Sequence, residues 1–442
     1  MDQQSSGAIT HSDPERAASR PRVVIIGGGF AGAAAAGGLR HAKVDILVID
    51  RRNHQTFQPL LYQVATAVLS PSDVAAPLRQ LGVGQANVEV ELAEVTAVDS
   101  QDRKVTARLP NGKVVDAPFD YLVVAAGVAP SYYGHDEFAA HAPALKTLAD
   151  AEAIRSKILN AYELAEVTND PDERNRLMTF VLVGGGPTGV ELAATIVQMA
   201  QVTLKGNFRR IRPEETQVVL LEGGKRILPS FNEPLAAAAH RQLKRLGVSV
   251  RTDALVQAVD GDGVIVGGER LRAANVLWTA GVAASPLSAQ VGAQTDRSGR
   301  AVVTPGLEAT PGSGIFVIGD AANVTQDGKP APGVAQAALQ QGAYAAKVIR
   351  ARIEGRAAPA PFRYRDPGSM AVVGKNFALL QAPHFQLSGP LAWILWAFIH
   401  ITVLPRLQNR LRVGVQWLWS YFTGQRGSRL IVEPTPATRL PG

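Results

Sequence analysis

One pattern occurs twice in this chain, and it limits the possible folds more than any other feature. A short β-branched run leads into a glycine-rich turn, the turn opens a helix of small residues, and a later apolar strand ends on an acid. In the first copy Val23-Val24-Ile25-Ile26 precedes Gly27-Gly28-Gly29-Phe30-Ala31-Gly32, and Ala33 to Ala36 follow. In the second, Thr179-Phe180-Val181-Leu182-Val183 precedes Gly184-Gly185-Gly186-Pro187-Thr188-Gly189, and Val190 to Ala194 follow. Continuous β-branched runs mark strands buried on both faces of a parallel sheet. Gly27 and Gly184 permit the tight turn, Gly29 and Gly186 admit a pyrophosphate to the backbone, and Gly32 and Gly189 let helix pack on strand. The free N–H groups of the helix start then face the phosphates, with Phe30 and Ala31 in the first copy beside them.

The acids complete each unit. Ile46-Leu47-Val48-Ile49 ends at Asp50, with Arg51 next, about twenty positions past the first turn, where a ribose hydroxyl needs an acceptor. Val218-Val219-Leu220-Leu221 ends at Glu222, which lies farther from its turn because a polar, basic stretch at 201–216 intervenes. A carboxylate repels a 2′-phosphate, so Glu222 predicts NADH rather than NADPH, a preference that Lys225 and Arg226 soften. Two such units imply two dinucleotides, most naturally a flavin and its nicotinamide reductant.

The turns alone leave open which unit takes which. Tyr121 to Val124 runs into Ala125-Ala126-Gly127, and Asn275 to Trp278 runs into Thr279-Ala280-Gly281. Both place Ala-Gly where backbone must pass close to a cofactor. Later, Gly314-Ile315-Phe316-Val317-Ile318 ends on Gly319-Asp320. In two-dinucleotide flavoproteins such a Gly-Asp holds the ribityl and phosphate portion of FAD. Its late position predicts that the FAD domain is split and the NADH domain inserted. FAD is therefore expected at Gly27–Gly32 and NADH at Gly184–Gly189. The expected class is α/β: two Rossmann-type domains plus a C-terminal amphipathic-helix membrane-anchoring region. The expected boundaries are a disordered tail at 1–20, FAD domain at 21–150 and 305–365, NADH domain at 151–304, and anchoring region at 366–442.

Composition narrows the chemistry. The chain has 442 residues, 46% of them hydrophobic, enough for sizeable cores. It has no cysteine, which excludes disulfides, thiolate metal sites, iron–sulfur clusters and any mechanism using a redox-active thiol. No metal site is expected. The net charge of +7 favours anionic cofactors or an anionic membrane surface, but no basic run is long enough to read as a nucleic-acid arm. The first twenty residues are polar and lack the apolar core of a secretory signal.

Longer motifs carry a resemblance. Asn53-His54-Gln55-Thr56-Phe57-Gln58-Pro59-Leu60-Leu61-Tyr62-Gln63-Val64-Ala65-Thr66, the helix Ala335-Gln336-Ala337-Ala338-Leu339-Gln340-Gln341-Gly342, and the stretches Pro361 to Tyr364, Gly368 to Ala371 and Val373-Gly374-Lys375 are similar to those of the type II, non-proton-pumping NADH:quinone oxidoreductases. The resemblance covers nearly the whole chain beyond the tail. It implies that the loop holding Gln58 runs beside the flavin, and that Gln336 and Gln340 meet the quinone. It also implies that Glu191 lies near nicotinamide and flavin and helps deliver protons, and that Lys375 lies near the flavin–quinone end. Chemistry fits: residues four apart share a helix face, and amides donate to a quinone or accept from a quinol without changing charge. From the residues alone, Gln336 and Gln340 read as surface glutamines on an alanine-rich helix, and the alternative for Glu191 is an acid stabilised by a helix N-terminus. The acceptor is expected to be ubiquinone or menaquinone, with no proton pumping. A membrane-attached homodimer on the cytoplasmic face of the inner membrane is implied.

The C-terminal segment agrees. Leu387 to Pro405 carries no formal charge, and its strongly apolar part, Leu391 to Leu404, is too short as a helix for a bilayer core of about 30 Å. Arg406, Arg410 and Arg412 follow, then a Trp-rich stretch with Trp417 and Trp419, and Arg426 and Arg429 beyond. Two amphipathic helices lying in one leaflet, with Trp393, Trp396, Trp417 and Trp419 at the headgroup boundary, are expected, the alternative being a dimerisation hairpin or a buried terminal helix. His400 reads as a packing or interfacial histidine rather than a ligand. Two other functions share the paired units: a soluble NADH-dependent ferredoxin or rubredoxin reductase, which has no use for this C-terminus, and a membrane-bound flavin redox sensor. Sulfide:quinone oxidoreduction is excluded by the missing cysteines.

Overall fold

The computed structural model describes residues 7–8 and 20–432, so most of the expected N-terminal tail lies outside the described residues. The elements that carry the architecture are, in chain order, β1 (Arg22–Ile26), α1 (Phe30–Gly38), β2 (Asp45–Asp50), α2 (Leu61–Ala65), β3 (Val88–Leu92), β4 (Tyr121–Val124), β5 (Thr179–Val183), α3 (Pro187–Gln198), β6 (Gln217–Leu221), β7 (Val248–Arg251), β8 (Asn275–Trp278), β9 (Ile315–Val317), α4 (Ala335–Ile353), α5 (Pro390–Val403) and α6 (Leu407–Thr423). By contact the chain divides into two compact units. One comprises the residues through Gln55, Ala76–Ala129 and Val282–Asp366; the other comprises Thr56–Ala75, Pro130–Gly281 and the residues from Pro367 onward.

The first unit is built on a five-stranded parallel sheet in the order β9-β4-β1-β2-β3. Ile26 of β1 lies between Ile49 of β2 and Val124 of β4. Val23, Val24 and Ile25 have no exposure, as expected of a central strand covered on both faces. Each such side chain contributes about 1.5–3 kcal/mol of burial. The helix α4, from late in the chain, packs closely on α1 at small residues. A methyl group placed on Gly342 would lie 2.2 Å from the Ala31 carbonyl oxygen, and one on Gly38 would lie 2.6 Å from Ala346. Backbone-to-backbone contact of this kind requires glycine on one side and alanine on the other.

The second unit has a four-stranded parallel sheet, β7-β6-β5-β8. The helix α3 continues into one π-helical turn, Met199–Thr203, and the polar stretch that follows occupies the chain up to β6. That insertion accounts for the long interval between the second turn and Glu222. A three-stranded antiparallel meander, Ser369–Val372, Ala378–Gln381 and Gln386–Gly389, leads into α5. The segments 56–75 and 367–432 belong to this unit: the Asn409 side-chain amide donates to the carbonyls of Ser72, Asp73 and Ala75, and Arg426 donates to the Thr195 carbonyl of α3. Among the described residues no helix is long and apolar enough to cross a membrane.

Candidate functional site

The two glycine-rich turns are built alike, atom for atom. Gly27 N–H donates to the Ile49 carbonyl at 2.8 Å and Gly184 N–H to the Leu221 carbonyl at 2.8 Å. Both glycines have positive φ, +96° and +112°, and a methyl group on either would strike the returning segment at Ala125 or Ala280. A methyl on Gly32 would lie 1.9 Å from the Gly27 oxygen; one on Gly189 would lie 2.0 Å from the Gly184 oxygen. Gly29 and Gly186, in contrast, face open space. The first pair closes the turn, and the open positions leave the cradle a pyrophosphate needs.

The acids are held the same way. Asp50, 9% exposed, accepts from Gly28 N–H and Arg52 N–H, both at 2.8 Å. Glu222 accepts from Gly185 N–H and Gly224 N–H, both at 2.7 Å. A carboxylate offers about four acceptor positions, so each retains capacity for ribose hydroxyls while bracing its own turn. Arg51 is exposed at the end of β2. Ala126 and Gly127 follow β4, and Ala280 and Gly281 follow β8, as expected. Gly319 and Asp320 form a short turn after β9, with Gly319 against Ala31 and Ala338. Gln341, which sequence reasoning passed over, is 3% exposed and accepts from Gly319 N–H at 2.6 Å. Both units therefore fit a dinucleotide, on the donor sets and the open cradles.

The expected acceptor-site residues separate between units. Gln336 and Gln340 lie on α4 in the first unit, Gln58, Glu191 and Lys375 in the second. Gln340 spends both ends of its amide on Arg365: Nε2 donates to the carbonyl at 2.8 Å, and Oε1 accepts from the backbone N–H at 3.0 Å. It fixes the segment 361–366 against α4, whereas Gln336, half-buried, has no such tie recorded. Gln58 is exposed and opens a 3-10 turn.

In the second unit Glu191 accepts from Val372 N–H at 3.2 Å. Its surface keeps an accessible edge, yet the carboxyl is so enclosed by protein that loss of hydration pushes its pKa up to about 8. Nearby, a cavity of about 160 Å³ is lined by Tyr62 and Gln63 of α2, Thr195 of α3, Val372, Lys375, and the aromatic rings of α5 and α6. Lys375 donates to the Tyr421 carbonyl at 2.7 Å and sits 4.1 Å from the centre of the Tyr421 ring. Arg426 is 6% exposed and donates to the Thr66 and Thr195 carbonyls; burial lowers its pKa to about 9. A larger cavity of about 670 Å³, between Tyr162, Phe208, Trp419 and Arg429, holds none of the expected redox residues.

The C-terminal helices correct one expectation. Of the four tryptophans expected at a headgroup boundary, only Trp419 is exposed. Trp396 is buried, stacked on Trp417 at 5.0 Å and beside His400 at 4.6 Å, and Trp393 pairs with Tyr421. Trp417 turns inward because its N–H finds a buried acceptor, Gln63 Oε1, at 2.7 Å. His400 Nδ1–H donates to the Trp396 carbonyl at 2.8 Å, and burial lowers its pKa to about 4, so it packs there as a neutral ring. The outward stripe is apolar and mostly aliphatic: Leu391, Ile394 and Phe398 on α5, and Leu407, Leu411, Val415, Leu418 and Phe422 on α6, all exposed.

Comparison with known proteins agrees with this geometry. The family model described as pyridine nucleotide-disulphide oxidoreductase matches residues 21–342. The chain is 41% identical to the type II NADH:quinone oxidoreductase NdhA of Mycobacterium tuberculosis, over 98% of this chain and 94% of that protein. It is 40% identical to Ndh of the same organism, also a type II NADH:quinone oxidoreductase, over 94% and 91%. The solved structure of NDH2 from Plasmodium falciparum in complex with NADH superposes with a TM-score of 0.83 at 19% identity, covering 94% of this chain and all of that one, which shows the shared fold. Without cysteine, the disulphide chemistry of the broad family has no counterpart here. The chain belongs to the pyridine nucleotide-disulphide oxidoreductase family and, within it, to the type II NADH:quinone oxidoreductases.

Proposed function

We propose that this protein oxidises NADH and reduces a membrane quinone, without pumping protons, through FAD held in the first unit and NADH held in the second. The observation that carries the reading is the pair of matched turn-and-acid sites in a single cysteine-free chain. When bound, FAD supplies the two-electron chemistry that links the two substrates. The chain's own part is to bind, orient and exclude water. The turn at Gly27–Gly32 with Asp50, Gly319 and Asp320 would hold FAD. The turn at Gly184–Gly189 with Glu222 would hold NADH, and the carboxylate would disfavour a 2′-phosphate. Glu191, protonated near neutral pH, is a proton reserve on the acceptor side. Gln336 is a hydrogen-bond partner for the quinone; Gln340 serves it by fixing the neighbouring segment.

The apolar stripe on α5 and α6, with Arg406, Arg410 and Arg412 between and beside it, supports attachment to one leaflet of an anionic membrane. The cytoplasmic face and a homodimer belong to the same reading. NADH oxidation by purified protein in mild detergent, with and without a short-chain quinone at matched flavin content, tests it. Strong quinone-dependent turnover that is weak with NADPH is expected. Rapid flavin reduction without quinone turnover would refute the acceptor.

A further inference from the structure

A hydrogen-bonded chain runs from α6 to the wall of the small cavity. Trp417 Nε1–H donates to Gln63 Oε1 at 2.7 Å, and Gln63 Nε2–H donates to the Tyr62 hydroxyl oxygen at 3.0 Å. The direction of the chain is fixed by chemistry. An indole nitrogen only donates, so the Gln63 oxygen must face it. The Gln63 nitrogen then faces Tyr62 and donates, so the phenol oxygen accepts and its own hydrogen must point elsewhere. Tyr62 is 3% exposed, and no acceptor for that hydrogen is recorded among the described residues. Buried hydroxyls are rarely left so. Tyr62 also lines the cavity, with Thr195, Lys375 and the rings of Trp393, Trp396 and Trp417. The cavity is too small for a dinucleotide, aromatic rings form part of its wall, and the Tyr62 hydroxyl and Lys375 ammonium line it, the Thr195 hydroxyl being spent on the Glu191 carbonyl: a flat ring bearing a carbonyl fits.

We infer that Tyr62 is the hydrogen-bond donor that recognises a carbonyl of the quinone, and that Trp417 and Gln63 hold its O–H in the donating direction. The inference rests on the quinone being the acceptor. It adds a residue to the acceptor site, and it makes Trp417 a positioning residue that connects the C-terminal helices to substrate recognition. Electrons do not pass through Tyr62. Its hydrogen bond orients the ring and polarises the carbonyl, with no bond broken in the protein.

Menadione binding to the full-length, flavin-loaded protein tests this, read by quenching of the tryptophans that line the cavity. Methylnaphthalene, the same two-ring shape without carbonyls, is the control. Tyr62→Phe is expected to weaken menadione binding about tenfold and leave methylnaphthalene unchanged, because one hydrogen bond is lost and no packing. Trp417→Phe, which keeps a stacked ring but no N–H, is expected to weaken menadione by a few-fold, and the double variant by less than the product of the two. The kcat/KM for menadione should fall with the affinity, while flavin bleaching by NADH stays at the parent rate. Unchanged menadione affinity in Tyr62→Phe, equal losses for both ligands, or fully multiplicative effects would overturn the proposal. A parent protein that bleaches with NADH but neither binds nor reduces menadione would instead overturn the quinone reading beneath it.

Discussion

Replacing Glu191 by glutamine isolates the energetic cost of enclosing this carboxyl. Its pKa rises from an ordinary 4.5 to about 8 because burial removes hydration from the charged form. The folded protein therefore keeps a proton that the unfolded chain releases across that interval. The stability associated with protonated Glu191 is complete below pH 4.5, declines as pH rises to about 8, and is level above. At about 1.4 kcal/mol per pH unit the full interval corresponds to roughly 5 kcal/mol, an upper figure that the accessible edge of the side chain reduces to about 3 kcal/mol. Glutamine carries no such proton, and its oxygen accepts equally from Val372 N–H. Glu191→Gln should thus match the parent near pH 5 and exceed it by a few kcal/mol near pH 8.5. All five tryptophans lie in the second unit with Glu191, so urea unfolding followed by tryptophan fluorescence reports on the right part of the molecule. A difference between variant and parent that does not change with pH would refute the assignment of an elevated pKa.

Three further outcomes are expected. Gly32→Ala places a methyl group 1.9 Å from the Gly27 oxygen, so the purified variant should lose most of its flavin, measured as the ratio of visible to protein absorbance. Glu222→Gln weakens the brace on Gly185 and Gly224 and removes the repulsion of a 2′-phosphate; the KM for NADH should rise about tenfold and the preference over NADPH should shrink, read from initial rates with both. Leu411→Asp combined with Leu418→Asp puts charge on the exposed stripe of α6, and should abolish co-sedimentation with anionic vesicles while turnover of a water-soluble quinone persists.

The sequence was most readable where local chemistry and global fold coincide. The glycines at 27, 32, 184 and 189 admit no other residue, so their spacing announces the turns, and the acids that end β2 and β6 announce the ribose sites. The later Gly319-Asp320 disclosed the split of the first unit. Legibility failed where a residue's role depends on a distant partner. Gln341 looks like any amide on an alanine-rich helix until Gly319 N–H is beside it. Arg426 reads as one more terminal arginine, yet it is buried on two carbonyls. The tryptophans were read as interfacial from their company of apolar residues, but an indole N–H follows a buried acceptor, and Gln63 lies 354 positions earlier. Residues 56–75 and 367–432 meet the second unit in the same way: Arg426 bonds the Thr66 and Thr195 carbonyls together, and nothing near Arg426 in sequence foretells it.

The backbone contact between α1 and α4 has a consequence for how the protein is made. The nucleotide turn leaves the ribosome early, but the helix that covers it is encoded roughly three hundred residues later, and β9, which completes the sheet edge beside β4, arrives only shortly before. At about 5–20 residues per second the small-residue face of α1 waits about 15–60 seconds for Gly342 and Ala346. Flavin capture is therefore a late event in synthesis, coupled to near-completion of the chain. Ribosome-arrested chains that expose residues only up to the end of β8 should fail to retain FAD, whereas chains that expose α4 should retain it.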